Sequence, residues 1–213
     1  MTVNAQNIRI PERARKKGLP DILQDSDIHY LVEGSDDRRY GLVKRALSRG
    51  DLIQVRRGLY ILGDVYRRRS VHMYELAQKI YGPSYISTES ALAVWNLIPE
   101  ATYSIMSGCS GRLKEFQTPF GHFSYARIPY QPLFMQVLRK NDDENVYFIA
   151  TPLRALADYV YLSKREWTWP ALQESLRLED VSPFLQGDIQ EMQALFKNHR
   201  VQKFLKDYVR RMY

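Results

Sequence analysis

The sequence predicts an α+β fold in two parts, a small basic module and then a larger mixed α/β domain with a helical C-terminus. The first part is indicated by a basic amphipathic helix followed directly by a β-hairpin over residues 35–62. The second is indicated by helix and strand patterns that follow one another from Val71 and become helical from Trp169. A chain of 213 residues with 45% hydrophobic residues is long enough to bury the cores of two such domains.

Composition excludes several classes of protein. The single Cys109 excludes a disulfide framework and any multi-cysteine metal site, and it is typical of a reducing compartment. The opening residues lack the apolar core of a signal peptide, and the longest strictly apolar run, Ala91–Trp95, is far too short to span a membrane. We therefore expect a cytoplasmic protein without a membrane partner.

Positive charge is concentrated in the first third of the chain. Residues 1–70 hold 15 Lys/Arg and 9 Asp/Glu, a net charge of +6, whereas residues 71–213 hold 16 and 15, a net charge of +1. Basic charge confined to one domain is the electrostatic signature of a protein that binds a polyanion. A solvated basic face without a partner is the alternative interpretation.

Residues 35–50, SDDRRYGLVKRALSRG, have the features of one helix. Ser35 is a candidate N-cap, and Gly50 is placed to end the helix. An apolar stripe is predicted at Tyr40, Val43 and Leu47, so that one side packs and the other faces outward. Cations are predicted on the outward side and its flanks, at Arg38, Arg39, Lys44, Arg45 and Arg49.

Residues 52–62, LIQVRRGLYIL, predict a β-hairpin. Two β-prone runs flank a tip of Arg56, Arg57 and Gly58, in which Gly58 supplies the positive φ of a tight turn. Charge at such a tip has an ordinary explanation, since it keeps sheet edges from pairing with other chains. The planar guanidinium groups also suit phosphate oxygens or the narrow minor groove of A·T-rich DNA.

The preceding residues complete a DNA-binding arrangement. Residues 19–34 predict one or two short helices that end at Gly34, so the order is helix, turn, basic helix, hairpin. This is the order of a winged helix-turn-helix, whose second helix enters the major groove of DNA. We assign it to residues 1–64, with residues 13–17 as a basic arm or a frayed terminus, and residues 65–70 as a basic linker. The predicted DNA-binding residues are Arg38, Arg39, Lys44, Arg45, Arg49, Arg56 and Arg57.

Residues 71–213 predict a separate α+β domain. Helices are expected in residues 72–82, in residues 88–98 behind a Ser87/Thr88 cap, and after the cap formed by Thr151 and Pro152. The apolar face of the last of these helices is predicted at Leu153, Leu156, Ala157 and Val160. Strands are expected at residues 102–107, 114–118, 122–128 and 145–150.

Catalysis finds little support in the sequence. No HExxH, Walker A, GxGxxG or GxSxG motif occurs. Cys109 and His122 are the best candidates for a nucleophile and base, provided that they face each other across a hairpin. A lone cysteine is more often a small buried hydrophobic residue. Residues 141–144 are polar and favour a turn over a metal site. We therefore expect no enzyme activity, no catalytic residues, no metal and no cofactor.

Four segments carry a resemblance to a known family. SRGDLIQVRRGLYIL, SYISTESALAVWNLIPE, EFQTPFGHFSYARI and YFIATPLRALADYVYL, in this order, resemble the AbiEi antitoxins of type IV (abortive-infection) toxin–antitoxin systems. The resemblance covers roughly residues 25–165. It implies an N-terminal winged helix that binds DNA upstream of its own operon, which includes Arg45, Arg49, Arg56 and Arg57. It also implies an antitoxin domain from residue 85 onward, which counters a nucleotidyltransferase-like toxin without a tight complex.

The sequence therefore predicts a transcriptional autorepressor that is also an antitoxin. Its expected partners are double-stranded DNA from its own operon promoter and a cognate nucleotidyltransferase-like toxin. Two other functions stay open. A regulator that senses a small ligand requires a closed apolar pocket with a few converging polar groups in residues 85–165. A nuclease requires clustered carboxylates and a lysine at a metal.

Overall fold

The protein is an α+β protein. The computed structural model describes residues 9–99, 103–142, 145–179 and 181–213. The chain divides into two compact units, the first ending at His72 and also including Thr118–Phe120, and the second formed by the remaining residues. The segment predicted as a linker, residues 65–70, thus lies within the first unit. Its Tyr66 hydroxyl donates to Asp51, and the N–H of Arg68 donates to Asp21.

Three helices and three strands form the first unit within the described residues. In chain order they are α1 (Ile10–Lys16), β1 (Ile22–Gln24), α2 (Asp25–Leu31), α3 (Asp36–Ser48), β2 (Leu52–Arg56) and β3 (Leu59–Leu62). The strands make an antiparallel sheet in the order β1-β3-β2. The helices pack against it through buried aliphatic side chains, including Ala14, Leu23, Ile28, Val43, Ala46 and Leu62.

Local signals set the limits of α3 and of the hairpin. The Ser35 hydroxyl accepts a hydrogen bond from the N–H of Arg38, as an N-cap does, and Gly50 has a φ of +72° just beyond the helix. β2 and β3 are joined by the two residues Arg57 and Gly58, and Gly58 has a φ of +75°. The predicted helix and hairpin are confirmed.

Two predictions for the first unit are wrong. Tyr40 does not belong to an apolar stripe, because it is 70% exposed and the packed side of α3 is centred on Val43 and Ala46. Residues 13–17 are not a frayed arm: α1 runs to Lys16, and it buries Ala14. Residues 1–8, the start of the predicted 1–64 module, lie outside the described residues.

The second unit combines a six-stranded sheet with six helices among the described residues. The strands are β4 (Ser84–Ile86), β5 (Ser104–Cys109), β6 (Lys114–Thr118), β7 (Gly121–Arg127), β8 (Val137–Asp142) and β9 (Asn145–Ala150), in the order β6-β7-β5-β4-β9-β8. The helices are α4 (Met73–Ile80), α5 (Thr88–Val94), α6 (Pro152–Leu162), α7 (Trp169–Leu176), α8 (Gln186–Leu195) and α9 (His199–Met212). The predicted helical C-terminus is confirmed.

A strand is found at or near each of the four predicted positions. β5 pairs with β7 in parallel, and β7 lies between β5 and β6 in the sheet, so β5 and β6 do not form a hairpin. β8 was not predicted, although residues 137–142 pair with β9 along their whole length. The predicted strand at 102–107 is found as Ser104–Cys109, and residue 102 lies outside the described residues. The described helices include none that is both long and apolar enough to cross a membrane.

Candidate nucleic-acid interface

The outward side of α3 carries three exposed cations. Arg38, Lys44 and Arg45 are exposed, and none of them has an ion-pair partner among the residues that the structure describes. The guanidinium of Arg45 folds back over Gly41, where its Nη1 lies 3.5 Å from the position that a Cβ would take. These side chains form a positive surface over about two helical turns, with no carboxylate bound to any of them. We call this set, Arg38, Lys44 and Arg45, the α3 cations.

Arg39 is placed differently from the other basic residues of α3. Its guanidinium pairs with Asp36 and donates to the carbonyl of Gly34, and only 18% of its side chain is exposed. The bond to Arg39 lowers the pKa of Asp36. The structure therefore gives Arg39 a role in holding the first turn of α3.

Arg49, at the C-terminal end of α3, is held by a buried carboxylate. Its Nε and Nη2 lie 2.9 and 2.8 Å from Oδ2 of Asp51, which is 2% exposed. The other oxygen of Asp51 accepts from Nη1 of Arg9 at 3.2 Å and from the Tyr66 hydroxyl at 3.3 Å. Asp51 thus joins the start of α1, the end of α3 and the segment after β3. Arg49 is part of this structural cluster.

The hairpin presents one arginine more openly than the other. Arg57 is exposed at the turn, whereas the half-buried Arg56 donates from Nη1 to the carbonyl of Arg57 at 2.9 Å. The turn is anchored to α2, since the N–H of Asp25 donates to the carbonyl of Gly58 at 3.0 Å. The two predicted arginines are therefore next to each other, with Arg57 the more available of the two.

Sequence reasoning missed Tyr40 as a surface residue. It lies in the N-terminal half of α3, one helical turn before Lys44 and on the same exposed side. An aromatic side chain spaced three residues from Val43 fits an apolar stripe equally well, so the spacing alone was ambiguous. Its polar hydroxyl was the only signal in favour of exposure.

The second unit contains a buried polar cluster that was also not predicted. Arg154 and Asp158 are completely buried on α6, with Nε 3.0 Å from Oδ1. Asp158 also accepts from the hydroxyls of Tyr85 at 2.8 Å and Ser87 at 2.6 Å, so Ser87 binds Asp158 rather than capping α5. Burial, and next the charge of Asp158, raise the pKa of Tyr85 well above its ordinary value. Because each polar atom of the ion pair has a partner, the cluster ties β4 to α6.

The suggested nucleophile and base are far apart. Cys109 pairs in register with Arg127, whereas His122 pairs with Ser104, five residues away along the parallel strands. At about 3.3 Å per residue the two lie on the order of 16 Å apart. Cys109 is buried, which raises the pKa of its thiol. That hypothesis is wrong. Within the described ranges, no group of three or more His, Cys, Asp or Glu is placed to hold a metal ion.

Comparison of the chain with models of known protein families and with curated proteins finds no match.

Proposed function

We propose that this protein is a DNA-binding repressor of its own operon, with a winged helix-turn-helix in the first unit. The order α1-β1-α2-α3-β2-β3 supports the proposal, because it provides two consecutive helices joined by Val32–Ser35 and then a two-stranded wing. On this proposal α3 is the recognition helix, and the hairpin of β2 and β3 contacts the DNA beside it. The observation that carries the proposal is the exposed, unpaired set of α3 cations.

The absence of neutralising partners is what makes these cations suited to DNA. A Lys or Arg that replaces the counterions around a phosphate releases those ions, and this release drives binding. A cation that is already bound to a carboxylate contributes less, because binding must first break or share that ion pair. Of the seven predicted DNA-binding residues, Arg38, Lys44, Arg45 and Arg57 keep their interface role in the proposal, and Arg56 supports the turn. Arg39 and Arg49 position α3.

Two kinds of contact are expected at this interface. Residues in the N-terminal half of a recognition helix reach base edges, which places Arg38 and Tyr40 against bases. Arg57 at the wing is expected to contact phosphate or the minor groove, where readout of the sequence is degenerate. The α3 surface therefore sets the sequence preference, and the wing adds affinity to every sequence.

Binding of the full chain to duplex DNA from upstream of its own reading frame tests this proposal. Fluorescence anisotropy at about 0.1 M salt, where exposed charges still act over about 10 Å, should show tighter binding than to a shuffled duplex. The affinity should fall steeply as salt is raised. Equal affinity for both duplexes, or binding that salt does not weaken, would refute sequence-specific repression.

We further propose that the second unit is an antitoxin that acts in the cytoplasm against a nucleotidyltransferase-like toxin, without forming a tight complex. This proposal rests on the four segments that resemble the AbiEi antitoxins, three of which lie wholly or largely in the second unit. A full chain with Arg38, Lys44 and Arg45 changed to Gln should rescue cells that express the neighbouring toxin while failing to repress the promoter. Growth and promoter-reporter assays, with protein levels checked, measure both activities. Loss of rescue in this variant at an unchanged protein level contradicts independent activities.

A further inference from the structure

The second unit contains an open cavity that neither proposed activity uses. It has a volume of about 410 Å³ and lies beside the first turn of α5 and the C-terminal end of α6. Met106 and Leu162 contribute apolar wall, and Glu89 and Arg165 contribute opposite charges. A volume of this size falls within the roughly 300–1,000 Å³ of small-molecule sites, which are apolar with a few placed polar groups.

Glu89 brings an unsatisfied carboxylate to this cavity. Its Oε2 is buried and has no hydrogen-bond donor among the residues that the structure describes. A buried carboxylate oxygen without a donor is costly, and such atoms are rare in folded proteins. Because Oε2 has almost no accessible surface, a ligand in the cavity offsets this cost through charge: an ammonium beside the Glu89 carboxylate stabilises its negative charge.

Arg165 brings the opposite charge. Its guanidinium carbon lies 3.3 Å from the ring centroid of Trp167, so the planar group stacks on the indole. Stacking uses the face of the guanidinium and leaves the N–H groups at its edge available for an acceptor. No acceptor for these groups is found within the described residues. A carboxylate suits this edge, because the two N–H groups match its two oxygens.

The two charges act on one shared group, the Tyr159 hydroxyl. Burial raises the pKa of Tyr159, the carboxylate of Glu89 raises it further, and Arg165 lowers it. Both charges are therefore close to the same point of the cavity wall. The wall is also strained there, since Thr88 has a φ of +47°, which a β-branched residue seldom adopts. The Thr88 hydroxyl lies 3.4 Å from Sδ of Met106.

We propose that this cavity binds a free amino acid with an apolar side chain. Its ammonium group pairs with Glu89, its carboxylate pairs with Arg165, and its side chain contacts Met106 and Leu162. The opposite charges favour a zwitterion over a simple amine or a simple acid. The site is independent of the α3 surface, so it adds ligand binding to the proposed functions and does not depend on them.

Calorimetric titration of the full chain with L-leucine, L-methionine and L-phenylalanine tests the proposal. At least one of them should bind with a Kd of about 1 mM or tighter. For leucine, isoamylamine lacks the carboxylate and 4-methylpentanoate lacks the amine. Each analogue should bind about tenfold or more weakly, because a charge-assisted hydrogen bond is lost at one end. No binding of any of the three amino acids at about 10 mM, or equal binding of an analogue and its parent, overturns the proposal.

Variants separate the two ends of the site. Glu89→Gln and Arg165→Ala should each weaken amino-acid binding by about tenfold or more. Glu115→Gln on β6 and Arg139→Ala on β8 are matched controls at exposed positions outside the cavity, and they should bind as the wild type does. Thermal unfolding without ligand confirms that each variant is folded. If Glu89→Gln unfolds, the analogue titrations with the wild type still decide the question. Unchanged affinity in a folded Glu89→Gln protein contradicts the proposal.

Discussion

Two basic helices of this protein, α3 and α9, differ in how many of their exposed cations are paired with carboxylates. In α9, Arg210 and Arg211 both bind Asp207, at 2.8 and 3.0 Å, and Lys203 pairs with Glu166 at 2.5 Å. In α3, the exposed α3 cations have no such partner within the described part of the chain. α9 holds five Lys/Arg and one Asp, against four Lys/Arg and two Asp in α3, so by composition α9 is the more basic helix.

The position of the acids, rather than the number of bases, accounts for the difference. Asp207 lies three and four residues before Arg210 and Arg211, which places all three on one side of α9. Asp36 and Asp37 lie in the first turn of α3, where they complement the helix dipole, and Asp36 is bound by Arg39. Exposed ion pairs add little stability, yet they neutralise the field that a polyanion would meet. We therefore expect α3, and not α9, to bind DNA.

Removal of charge from each helix in turn should give the largest effect. Changing Arg38, Lys44 and Arg45 to Gln should weaken binding to the operon duplex by about a hundredfold or more, since Arg38 loses a base contact of about 1–3 kcal/mol and Lys44 and Arg45 no longer release counterions from phosphates. The dependence of log K on log salt should also become less steep, by up to about 0.9 per lost phosphate contact. Anisotropy titrations at several salt concentrations measure both effects.

The matched control changes Lys203, Arg210 and Arg211 on α9 to Gln, which also removes three positive charges. This variant should bind DNA nearly as the wild type does, because the three cations that it removes are paired with carboxylates in the wild type. A similar loss of affinity in both triple variants would show that net charge, and not the α3 surface, drives binding.

A second test separates two arginines at the end of α3. Arg49→Ala should lower the free energy of unfolding by about 1–2 kcal/mol, because the buried Asp51 loses a charge-assisted partner while it keeps Arg9 and Tyr66. Arg45→Ala should change it by less than about 0.5 kcal/mol, as is usual for an exposed residue. Urea denaturation measures both. Equal stability of the two variants would mean that the bond between Arg49 and Asp51 does not stabilise the fold.

A smaller effect is expected at Tyr40. Tyr40→Ala should weaken binding to the operon duplex by about 1 kcal/mol, which is the lower end of the cost of one mismatched base pair. Its affinity for a shuffled duplex should change little. Tyr40→Phe should keep most of the affinity if the ring contacts an apolar base edge such as the thymine methyl. Stability should not change, because the side chain is 70% exposed. Equal losses on both duplexes would assign Tyr40 to the phosphate backbone instead.

The smallest effect concerns the ion pairs of α9. Burial acts to raise the pKa of Asp207, but the N–H of Trp169 and the guanidinium groups of Arg211 and Arg210 outweigh it, so the pKa is lowered. A carboxyl group with a lowered pKa stabilises the fold above its unfolded pKa of about 3.9, and this contribution disappears as the pH falls through the folded value. Asp207→Asn should therefore lower stability by no more than about 1 kcal/mol at pH 7.

The same variant should differ less and less from the wild type below about pH 4. Urea denaturation of both proteins across this range provides the measurement. A difference that stays constant with pH would show that the carboxylate charge has no part in stabilising α9.

Elements whose signals lie close together in the chain could be predicted from the sequence. Ser35 and Gly50 mark the limits of α3, and Thr151 with Pro152 marks the start of α6, because caps act through bonds to residues two to four positions away. The hairpin turn at Gly58 follows from the need for a positive φ. For the candidate interface, the sequence predicted a set of basic residues on one helix and one turn, but not which of them are unpaired.

Which of those basic residues are free to bind DNA depends on contacts between distant parts of the chain. Asp51 binds Arg9 and Tyr66 because chain segments 42 and 15 residues away come together beside it, and no local pattern encodes these contacts. The parallel pairing of β5 with β7 arises in the same way. Burial of Arg154 depends on Tyr85, 69 residues away, which helps to satisfy its charge. The energy of a charged group depends on the groups around it in space rather than on its neighbours in sequence. Which side chains pair across such sequence distances therefore depends on the packed fold.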